Sequence, residues 1–448
     1  MKVMRDGRPV TVEVTADGAG LVSHAGTALL ARVADKLGLT KALSLRLGSI
    51  KQRRRGHAPG RVIRDLAVML ADGGECVSDL GAVRDQQSLF GPVASDSTAF
   101  RVIDRIASEP KLLDALRAAH ARARERFWER HGVPGSLTID IDATLITAHS
   151  EKENAAGNYK GGYGFHPLQA YADETREALG GLLRPGNAGA NTAADHVAVL
   201  DRALEQVPAR HIERIEILVR ADFAGATHDL IDYCREAKMR FSVGYELTEI
   251  VRAAILEIPD DAWVVALDQD GSLRDNGEVA EITAGVELSS WPDGSRLIVR
   301  RERPHPGAQL SFSDHDGHRF QAILTDQTGG IAELERRHRA RARVEDRIRD
   351  DKDTGLAKFP FKQFALNEVW LEIVLLAHDL IVWTQALLLD GELAKAEPKR
   401  LRYRLLHVAA RIAFHGRRGR LRLQHDWPWG EQLLAAFQKL KALPAASG

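Results

Sequence analysis

Four polar residues in the last third of the chain have the spacing of a single helix face. His338, Arg341 and Lys352 lie seven residues before, four before and seven after Glu345. Because a helix advances about 100° per residue, these offsets place all four side chains in one stripe. A carboxylate held between cations suits a metal-assisted reaction on a phosphate. The stripe therefore predicts part of a metal site that needs further carboxylates upstream.

Two upstream segments supply such carboxylates. Polar and apolar residues alternate around Asp140 and Asp142, which predicts a strand with both carboxylates on one face. Asp222 follows the apolar segment 215–219, a second predicted strand, and open α/β sheets present ligands at strand ends. Two-metal chemistry needs two or three carboxylates on rigid elements, so we expect the aspartates to converge with Glu345. Taken singly, each carboxylate also fits a cap, a turn or a surface ion pair worth about 0–1 kcal/mol.

Composition and charge limit the class of protein. The chain has 448 residues, 44% of them hydrophobic, which is enough for two or three domains with a large core. Lys plus Arg and Asp plus Glu both number 62, so a uniformly basic nucleic-acid coat is disfavoured, although local basic patches are not. Cys76 and Cys234 are the two cysteines, too few for a disulfide framework or a four-cysteine zinc site.

The sequence lacks the patterns of a signal peptide and of a membrane span. Residues 1–14 have no apolar signal core. The apolar run 369–389 contains Glu372, His378 and Asp379, so it predicts a buried core helix rather than a transmembrane helix. We therefore expect a soluble, cytoplasmic protein with no membrane partner. A phosphate-binding loop motif is also missing, so we expect no ATP requirement.

The first 130 residues have mainly helical periodicity after a short strand pair, for which Asp17-Gly18 is the predicted turn. A Gly-Pro turn and the N-cap sequence Ser95-Asp96-Ser97 precede a predicted helix at 98–107, an order typical of a helix-turn-helix. A basic cluster lies upstream and contains Arg53, Arg54 and Arg55. These features fit DNA binding, and an ordinary helix pair in an all-α domain remains the alternative.

From residue 131 the pattern becomes α/β. Predicted strands alternate with helices, among them a helix at 193–206 and a strand at 240–245. Residues 246–324 are rich in strands and in Asn-Gly and Asp-Gly turns, which predicts an all-β insertion. The helix with the polar stripe follows from about residue 330, and a core helix is predicted at 364–389.

The C-terminal segment is strongly basic. Nine Lys or Arg residues and no Asp or Glu lie between Lys399 and Arg422. Apolar residues recur at helical spacing among them, so we expect a basic helical region. Such a block suits contact with phosphates, and the solvated face of a terminal helix is the alternative.

These motifs resemble those of DDE transposases of bacterial insertion sequences, a class with a ribonuclease H-like core. Within it, the chain is similar to the insertion sequence family 1380 group, whose signature is Tyr-x2-Arg-x3-Glu-x6-Lys. The stripe that ends at Lys352 keeps this spacing, with His338 in place of the Tyr. The family's Asp-x-Thr and its strand-ending Asp are matched by Asp142-Ala143-Thr144 and Arg220-Ala221-Asp222. The resemblance covers about residues 23–443.

The resemblance implies that the three matched carboxylates are catalytic. Asp142, Asp222 and Glu345 would bind two divalent ions, Mg²⁺ or Mn²⁺, which activate the attacking oxygen and stabilise the leaving one. Asp140 faces the same side of its strand and is the alternative to Asp142. The Asp-x-Thr match favours Asp142.

Other residues are expected to contact DNA. Arg341 and Lys352 would hold the phosphate beside the scissile bond, and His338 would orient the same strand. Relatives with this signature cut through a hairpin and hold a flipped base on an aromatic side chain of the insertion, for which Phe320 and Trp291 are the candidates. Further phosphate contacts are expected from Arg53, Arg54, Arg55, Arg417, Arg418, Arg420 and Arg422.

The implied architecture is an α/β ribonuclease H-like catalytic core interrupted by an all-β insertion. A helical DNA-binding domain would precede the core, and a basic helical C-terminus would follow it. The expected parts are the N-terminal domain at 1–130, the first part of the core at 131–245, the insertion at 246–324, the second part of the core at 325–395 and the basic region at 396–448.

The resemblance implies a DNA transposase that binds the terminal inverted repeats of its element, then cuts and joins DNA. Double-stranded element ends and target DNA would be its partners, a homodimer would form the synaptic complex, and the protein would be associated with the nucleoid. Two alternatives remain. One is a catalytically silent DNA-end-binding protein derived from a transposase, and the other is a ribonuclease H-like nuclease. The hairpin step stays open.

Overall fold

A computed structural model describes residues 1–51, 56–304, 314–315, 317–416 and 418–445. The predicted DNA contacts Arg53, Arg54, Arg55 and Arg417 lie outside the described residues. Helices surround a large central sheet, so the chain is a mixed α/β protein.

The N-terminal region is helical after a short hairpin. Strands β1 (Lys2–Arg5) and β2 (Arg8–Thr11) pair across Asp6-Gly7, whose φ angles of +50° and +76° suit a tight hairpin turn. The predicted turn at Asp17-Gly18 is therefore wrong, and that segment only leads into the short strand β3 (Leu21–Val22). The helices that follow are α1 (Ala28–Lys36), α2 (Leu39–Arg46), α3 (Pro59–Ala71), α4 (Gly81–Arg84), α5 (Gln87–Phe90), α6 (Asp96–Ala107) and α7 (Pro110–His131).

A ten-stranded sheet forms the centre of the molecule, and a three-stranded sheet of β5, β7 and β6 lies beside it. The strands from residue 136 onward are β4 (Ser136–Ala143), β5 (Ile146–Thr147), β6 (Ala156–Gly157), β7 (Tyr163–Phe165), β8 (Leu168–Ala172), β9 (Ala178–Leu182), β10 (Glu216–Ala221), β11 (Arg240–Tyr245), β12 (Val264–Leu267), β13 (Leu273–Glu281), β14 (Arg296–Glu302), β15 (Asp314–His315) and β16 (His318–Thr325). The order across the central sheet is β12-β13-β14-β16-β11-β10-β4-β8-β9, with β15 paired to β16. Strand β10 runs parallel to β4 and to β11, and the other pairs are antiparallel.

The region predicted as an all-β insertion, 246–324, is not all-β. The helices between β9 and β12 are α8 (Ala193–Gln206), α9 (Ala209–Ile212), α10 (His228–Glu236) and α11 (Glu249–Leu256), and α11 lies inside the predicted insertion. Val251 and Ile255 of α11 are buried four residues apart, and Thr248 caps its first turn, so this segment has helical spacing that the Gly-containing turns further on obscured. Strand β16 pairs with β11, so the later strands extend the central sheet.

The predicted polar stripe lies on a helical run with changing pitch. Helix α12 (Ile331–Arg339) passes through a 3₁₀ turn (Ala340–Ala342) into α13 (Arg343–Asp351), which ends in a π turn (Lys352–Leu356). The backbone stays in the right-handed helical region at Ala340, Arg343 and Lys352, so the path is continuous across these joins.

Helix α14 (Phe364–Leu388) lies at the centre of the helical layer and contacts most of the long helices. It packs against α1, α3, α6, α7 and β9. It is long and apolar enough to cross a membrane, but 89% of its most apolar 18-residue window is buried inside the protein. The prediction of a buried core helix is therefore confirmed.

The predicted helical C-terminus is wrong over its most basic part. Helix α15 (Pro398–Leu401) and a π turn (Arg402–Leu406) match the helical spacing, but β17 (Ala410–His415) and β18 (Arg418–Leu423) form a hairpin before α16 (Gly430–Ala442). From residue 410 the apolar residues Ile412 and Phe414 recur every second position, which is the period of a strand. Gly416, with φ of +58°, provides the left-handed conformation in the turn. The hairpin also pairs with β3.

Candidate metal centre and phosphate-binding cleft

The parallel strands β4 and β10 bring two predicted aspartates to one edge of the sheet. Ala221 of β10 pairs with Ile141 of β4, and Asp222 and Asp142 are the residues that directly follow this pair. Asp222 lies one residue past β10, where its Oδ1 accepts a hydrogen bond from the Ala224 N–H at 3.0 Å. Because the strands run in the same direction, their carboxyl ends meet at this edge. The two strands predicted from the sequence therefore place both carboxylates where ligands bind in α/β sheets.

The electrostatic surroundings of Asp142 link it to both other predicted ligands. Burial raises its pKa, the nearby charges of Asp222 and Glu345 raise it further, and Arg341 acts in the opposite direction. The result is a pKa of about 6, well above that of an exposed aspartate. Carboxylates crowded in this way favour binding a cation, because a cation relieves their mutual repulsion.

A cavity of about 520 Å³ opens at this edge of the sheet. Its walls include Asp222 and Glu345 together with His338 and Arg341. The predicted stripe thus faces the aspartate at the end of β10. Asp142 lies beside the cavity, with its Oδ2 3.6 Å from Nη1 of Arg341.

Arg341 carries an unsatisfied donor toward this centre. Its Nη1 is buried and makes no hydrogen bond within the part of the chain that the structure describes. The 3.6 Å separation from Asp142 is an ion-pair distance and too long for a hydrogen bond. A buried guanidinium with a spare donor suits a phosphate oxygen, since arginine presents a planar fork of N–H groups.

The donor set fits divalent ions bound by oxygen. Asp142, Asp222 and Glu345 offer only carboxylates, which are the ligands Mg²⁺ and Mn²⁺ prefer. The three side chains therefore fit a site for a divalent ion.

Asp140, the alternative ligand that the sequence left open, is hydrogen-bonded to an arginine. Its two oxygens accept hydrogen bonds from Nε and Nη2 of Arg220, each at 2.7 Å, and Arg220 also donates to Asp173 at 2.9 Å. A third donor of Arg220 reaches the backbone oxygen of Arg337. Asp140 and Arg220 are directly opposite in the register of β4 and β10 and both are buried. The carboxylate of Asp140 is therefore occupied, which favours Asp142 as the ligand.

His338 is neutral at this site. Burial lowers its pKa, and the charges of Arg341, Arg220 and Arg300 lower it further, to about 3. Its Nδ1 lies 2.9 Å from Oγ of Ser242, a residue on β11. The imidazole can therefore exchange a hydrogen bond with a phosphate, but it adds no positive charge.

Lys352 lies close enough to Asp142 for the two charges to interact. Burial lowers the pKa of its ammonium group, Asp142 raises it, and Lys160 lowers it again. Asp142 thus has two cations of the stripe near it: Arg341, which precedes Glu345 in the sequence, and Lys352, which follows it. Lys160, in the turn between β6 and β7, adds a third cation to this neighbourhood.

The two predicted base-stacking residues differ in position. Phe320 lines the cavity, whereas Trp291 stacks on His228 with ring centroids 4.1 Å apart and lies edge-on to Tyr245. Sequence reasoning missed Phe223, which lines the same cavity and is 67% exposed. Its only signal in the sequence is a large apolar residue directly after a strand-ending Asp.

The arginines of the C-terminal hairpin share one face. Arg418, Arg420 and Arg422 are exposed, and Arg422 is directly opposite Arg411 on β17. Residues opposite each other in an antiparallel pair project to the same side, so the apolar pair Ile412 and Leu421 lies on the other face. None of these arginines is among the cavity residues, so the hairpin is a separate basic surface.

A second group of potential metal ligands was also missed from the sequence. His24, Asp72 and His407 are the described residues whose donor atoms all lie within 4.8 Å. Nδ1 of His24 is 2.5 Å from Oδ2 of Asp72, and Nε2 of His407 is 3.1 Å from Oδ1. Thr27 also donates to Asp72, at 2.5 Å. These are hydrogen-bond distances, so we describe the group as a polar cluster joining the two terminal regions.

Paired aspartates at a sheet edge, a facing glutamate and surrounding cations are the parts of a metal-dependent phosphoryl-transfer enzyme. A family model agrees with this class. The model described as "Transposase DDE domain group 1" matches residues 5–445, so the chain belongs to this family of DNA-cleaving and DNA-transferring enzymes.

Two further comparisons concern known proteins. Among solved structures, the chain is similar to one described as a cryo-EM structure of the piggyBac transposase synaptic complex with hairpin DNA. The sequences are 10% identical, the match covers 85% of this chain and 80% of that chain, and the TM-score is 0.42. No curated protein sequence matches the chain.

Proposed function

We propose that this protein is a transposase of the insertion sequence family 1380 group that binds the terminal inverted repeats of its element and catalyses strand cleavage and strand transfer. The observation that carries the proposal is the meeting of Asp142, Asp222 and Glu345 around one cleft beside Arg341. The proposed core is ribonuclease H-like: β9-β8-β4-β10-β11 are its strands, with β10 and β11 parallel to β4.

Each residue of the cleft has a distinct task in this proposal. Two Mg²⁺ or Mn²⁺ ions held by the three carboxylates would supply Lewis-acid activation of the attacking and leaving oxygens. The spare Nη1 donor of Arg341 holds the phosphate beside the scissile bond, and Lys352 neutralises negative charge near Asp142. Neutral His338 orients the same strand by hydrogen bonding rather than by charge.

Binding of the element ends uses surfaces away from the cleft. The hairpin arginines Arg418, Arg420 and Arg422 contact phosphates, and the helical region 1–130 is the proposed end-recognition domain. Two copies of the chain hold the two ends, and no ATP is consumed. The protein acts in the cytoplasm on the nucleoid.

A hairpin step would need a stacking surface for an unpaired base. Phe320 suits that role better than Trp291, because Phe320 lines the cavity while Trp291 is already stacked on His228. Phe223 adds a second aromatic wall to the same cavity.

Cleavage of defined DNA tests the proposal. Full-length protein is incubated with Mg²⁺ or Mn²⁺ and a DNA fragment that carries its element's inverted repeats. We expect cuts at the repeat boundary, loss of cutting in Glu345→Gln with end binding retained, and wild-type cutting in Asp346→Asn. Asp346 is the matched control, because it is the next residue of α13 and pairs with Arg349 at 2.8 Å.

The alternatives give different outcomes in this assay. End binding without any cutting by the wild type supports a silent end-binding protein. Cutting regardless of sequence supports a nuclease. Cutting that survives in Glu345→Gln removes Glu345 from the metal centre.

A further inference from the structure

A buried carboxylate, Asp351, lies on α13 between Glu345 and Lys352. It is fully buried, and its Oδ2 accepts hydrogen bonds from the Tyr171 hydroxyl at 2.6 Å and from Gln169 Nε2 at 2.9 Å. Its Oδ1 is 2.6 Å from Nδ1 of His378 on α14. Three elements, α13, β8 and α14, therefore meet at one charged side chain.

The partner on α14 is a cation. Burial alone lowers the pKa of His378, but the charge and hydrogen bond of Asp351 outweigh it and raise the pKa to about 9. The other ring nitrogen, Nε2, donates to the backbone oxygen of Arg176 at 2.9 Å. Since a carbonyl only accepts, both ring nitrogens carry protons, and Asp351 faces an imidazolium.

The network continues away from the cleft. Asp379, next to His378, accepts from Arg124 Nη2 at 2.5 Å and contacts His120 Nε2 at 2.7 Å. Arg124 also pairs with Glu177, whose oxygens accept from two buried tryptophans. This part ties α7 to β9 and α14 but makes none of the contacts to α13 described above.

The position of Asp351 links the two halves of the proposed metal centre. Gln169 is directly opposite Asp142 in the β4–β8 register, and Tyr171 is directly opposite Asp140. Asp351 thus fastens the helix that carries Glu345 to the strand paired with the one that carries Asp142. It is closed to solvent, its Oδ2 accepts two hydrogen bonds and its Oδ1 is in ion-pair contact with His378, so it is no metal ligand itself.

We propose that Asp351 is a positioning residue, which through His378, Tyr171 and Gln169 fixes the distance from Glu345 and Lys352 to Asp142. The proposal rests on the function proposed above, because it takes Asp142 and Glu345 as ligands. Removing the Asp351 carboxylate would leave all three proposed ligands in the chain. It would, however, let α13, and with it Glu345, shift relative to the sheet. A buried ion pair that is shielded from water can fix such a distance, because only one arrangement of the two side chains keeps the pair and its hydrogen bonds.

The test measures Mn²⁺ binding by electron paramagnetic resonance and amide hydrogen exchange of residues 343–356 in the full-length protein. We expect Asp351→Asn to weaken Mn²⁺ binding at least tenfold and to speed exchange in this segment at least tenfold. Glu177→Gln is the matched control: it removes an equally buried charge of the same network, and we expect both readings to stay within twofold of wild type. Tyr171→Phe removes one bond to Asp351 and should give an intermediate, roughly threefold, effect.

The outcomes separate this inference from the proposed function. Wild-type Mn²⁺ affinity and exchange in Asp351→Asn overturn the inference and leave the function standing. Equal changes in Glu177→Gln also overturn it, because the effect is then general loss of stability. If Asp351→Asn does not fold, Tyr171→Phe decides by the same two readings. A wild type that binds Mn²⁺ as expected but never cuts element ends refutes the proposed function while the positioning role holds.

Discussion

At the scale of single residues, Asp140 and Asp142 lie on the same face of β4 but differ in the side chains around them. Asp140 is held by both arms of Arg220 and contributes to the fold. Asp142, two residues later, accepts one hydrogen bond from the backbone N–H of Ala143 at 2.9 Å and has no side-chain partner closer than Nη1 of Arg341 at 3.6 Å. Two neighbouring carboxylates also repel it. A buried charge that its side-chain neighbours only partly compensate is a cost to folding, and such costs are typical of functional sites.

Replacing Asp142 by Asn should therefore stabilise the protein while abolishing cleavage. The raised pKa, about 6, means that the folded state holds a proton that the unfolded state releases at a lower pH. The free energy of unfolding consequently falls as pH rises from about 4 to about 6, and the variant should lack this fall. At pH 7 we expect a gain of about 1–3 kcal/mol, measured by urea denaturation at pH 4 and pH 7.

The isosteric change at Asp140 is the control and should act in the other direction. Burial raises the pKa of Asp140 to about 7 although Arg220 opposes this, but Asp140→Asn also takes the two-oxygen partner from buried Arg220 and leaves it only Asp173 as a charged partner. We expect the lost bonds to outweigh the relieved burial and to cost about 1–3 kcal/mol of unfolding free energy. The folded variant should still cut DNA with an unchanged metal requirement. If both variants shift stability in the same direction, the division of roles between the two aspartates is wrong.

At the scale of elements, local periodicity was enough for much of the fold and long-range register was not. The helix at 193–206, the strand at 240–245 and the core helix were predicted within a residue of their bounds, because each has its own pattern. The hairpin at 410–423 was missed because its alternation follows directly on helical spacing.

The candidate site divides in the same way. The pattern around each carboxylate is local, and together with the family resemblance, which favoured Asp142 over Asp140, it led to Asp142, Asp222 and Glu345. The contact between Arg220 and Asp140 depends on how two strands align, and that between Asp351 and Gln169 on where a helix docks. The spacing of neighbouring residues determines neither the strand register nor the position of the helix. These two contacts could therefore not be predicted from the sequence.

The C-terminal hairpin should bind DNA through its arginine face. Like charges directly opposite in a strand pair destabilise it, so the Arg411 and Arg422 pair is best explained by a polyanionic partner. Replacing Arg418, Arg420 and Arg422 by Gln should reduce the slope of log affinity against log salt by about 3, since each phosphate contact contributes about 0.9. Fluorescence anisotropy over a range of salt concentrations measures this slope.

A matched triple variant gives the comparison. Arg210, Arg240 and Arg349 are also partly exposed and lie outside the proposed end-recognition domain, and each already pairs with a carboxylate. Their replacement by Gln should leave the slope unchanged. Equal slopes for the two triple variants would mean that the hairpin makes no specific phosphate contact.

At the scale of the whole molecule, the C-terminal region is folded back onto the N-terminal helices. The hairpin strand β17 pairs with β3, and α16 packs against α1 and α14. The cluster of His24, Asp72 and His407 closes this junction from both ends of the chain. The surface that we propose for DNA binding is therefore anchored on the same helices that support the catalytic sheet.

Replacing Asp72 should lower the free energy of unfolding, by an amount that depends on pH. Burial alone raises the pKa of Asp72, but the bonds from His24, His407 and Thr27 outweigh it, and the bond to Asp72 raises the pKa of His407. A histidine with a raised folded pKa stabilises fully below about pH 6.5, and this stabilisation is lost as pH rises through the raised value. Asp72→Asn should thus lower the free energy of unfolding by about 2–3 kcal/mol at pH 6 and by less at pH 9, as urea denaturation would measure. A chelator should change the melting temperature of the wild type and of Asp72→Asn equally, because any ion that it removes comes from the proposed carboxylate centre. A chelator-induced drop that disappears in Asp72→Asn would instead identify the cluster as a bound-metal site.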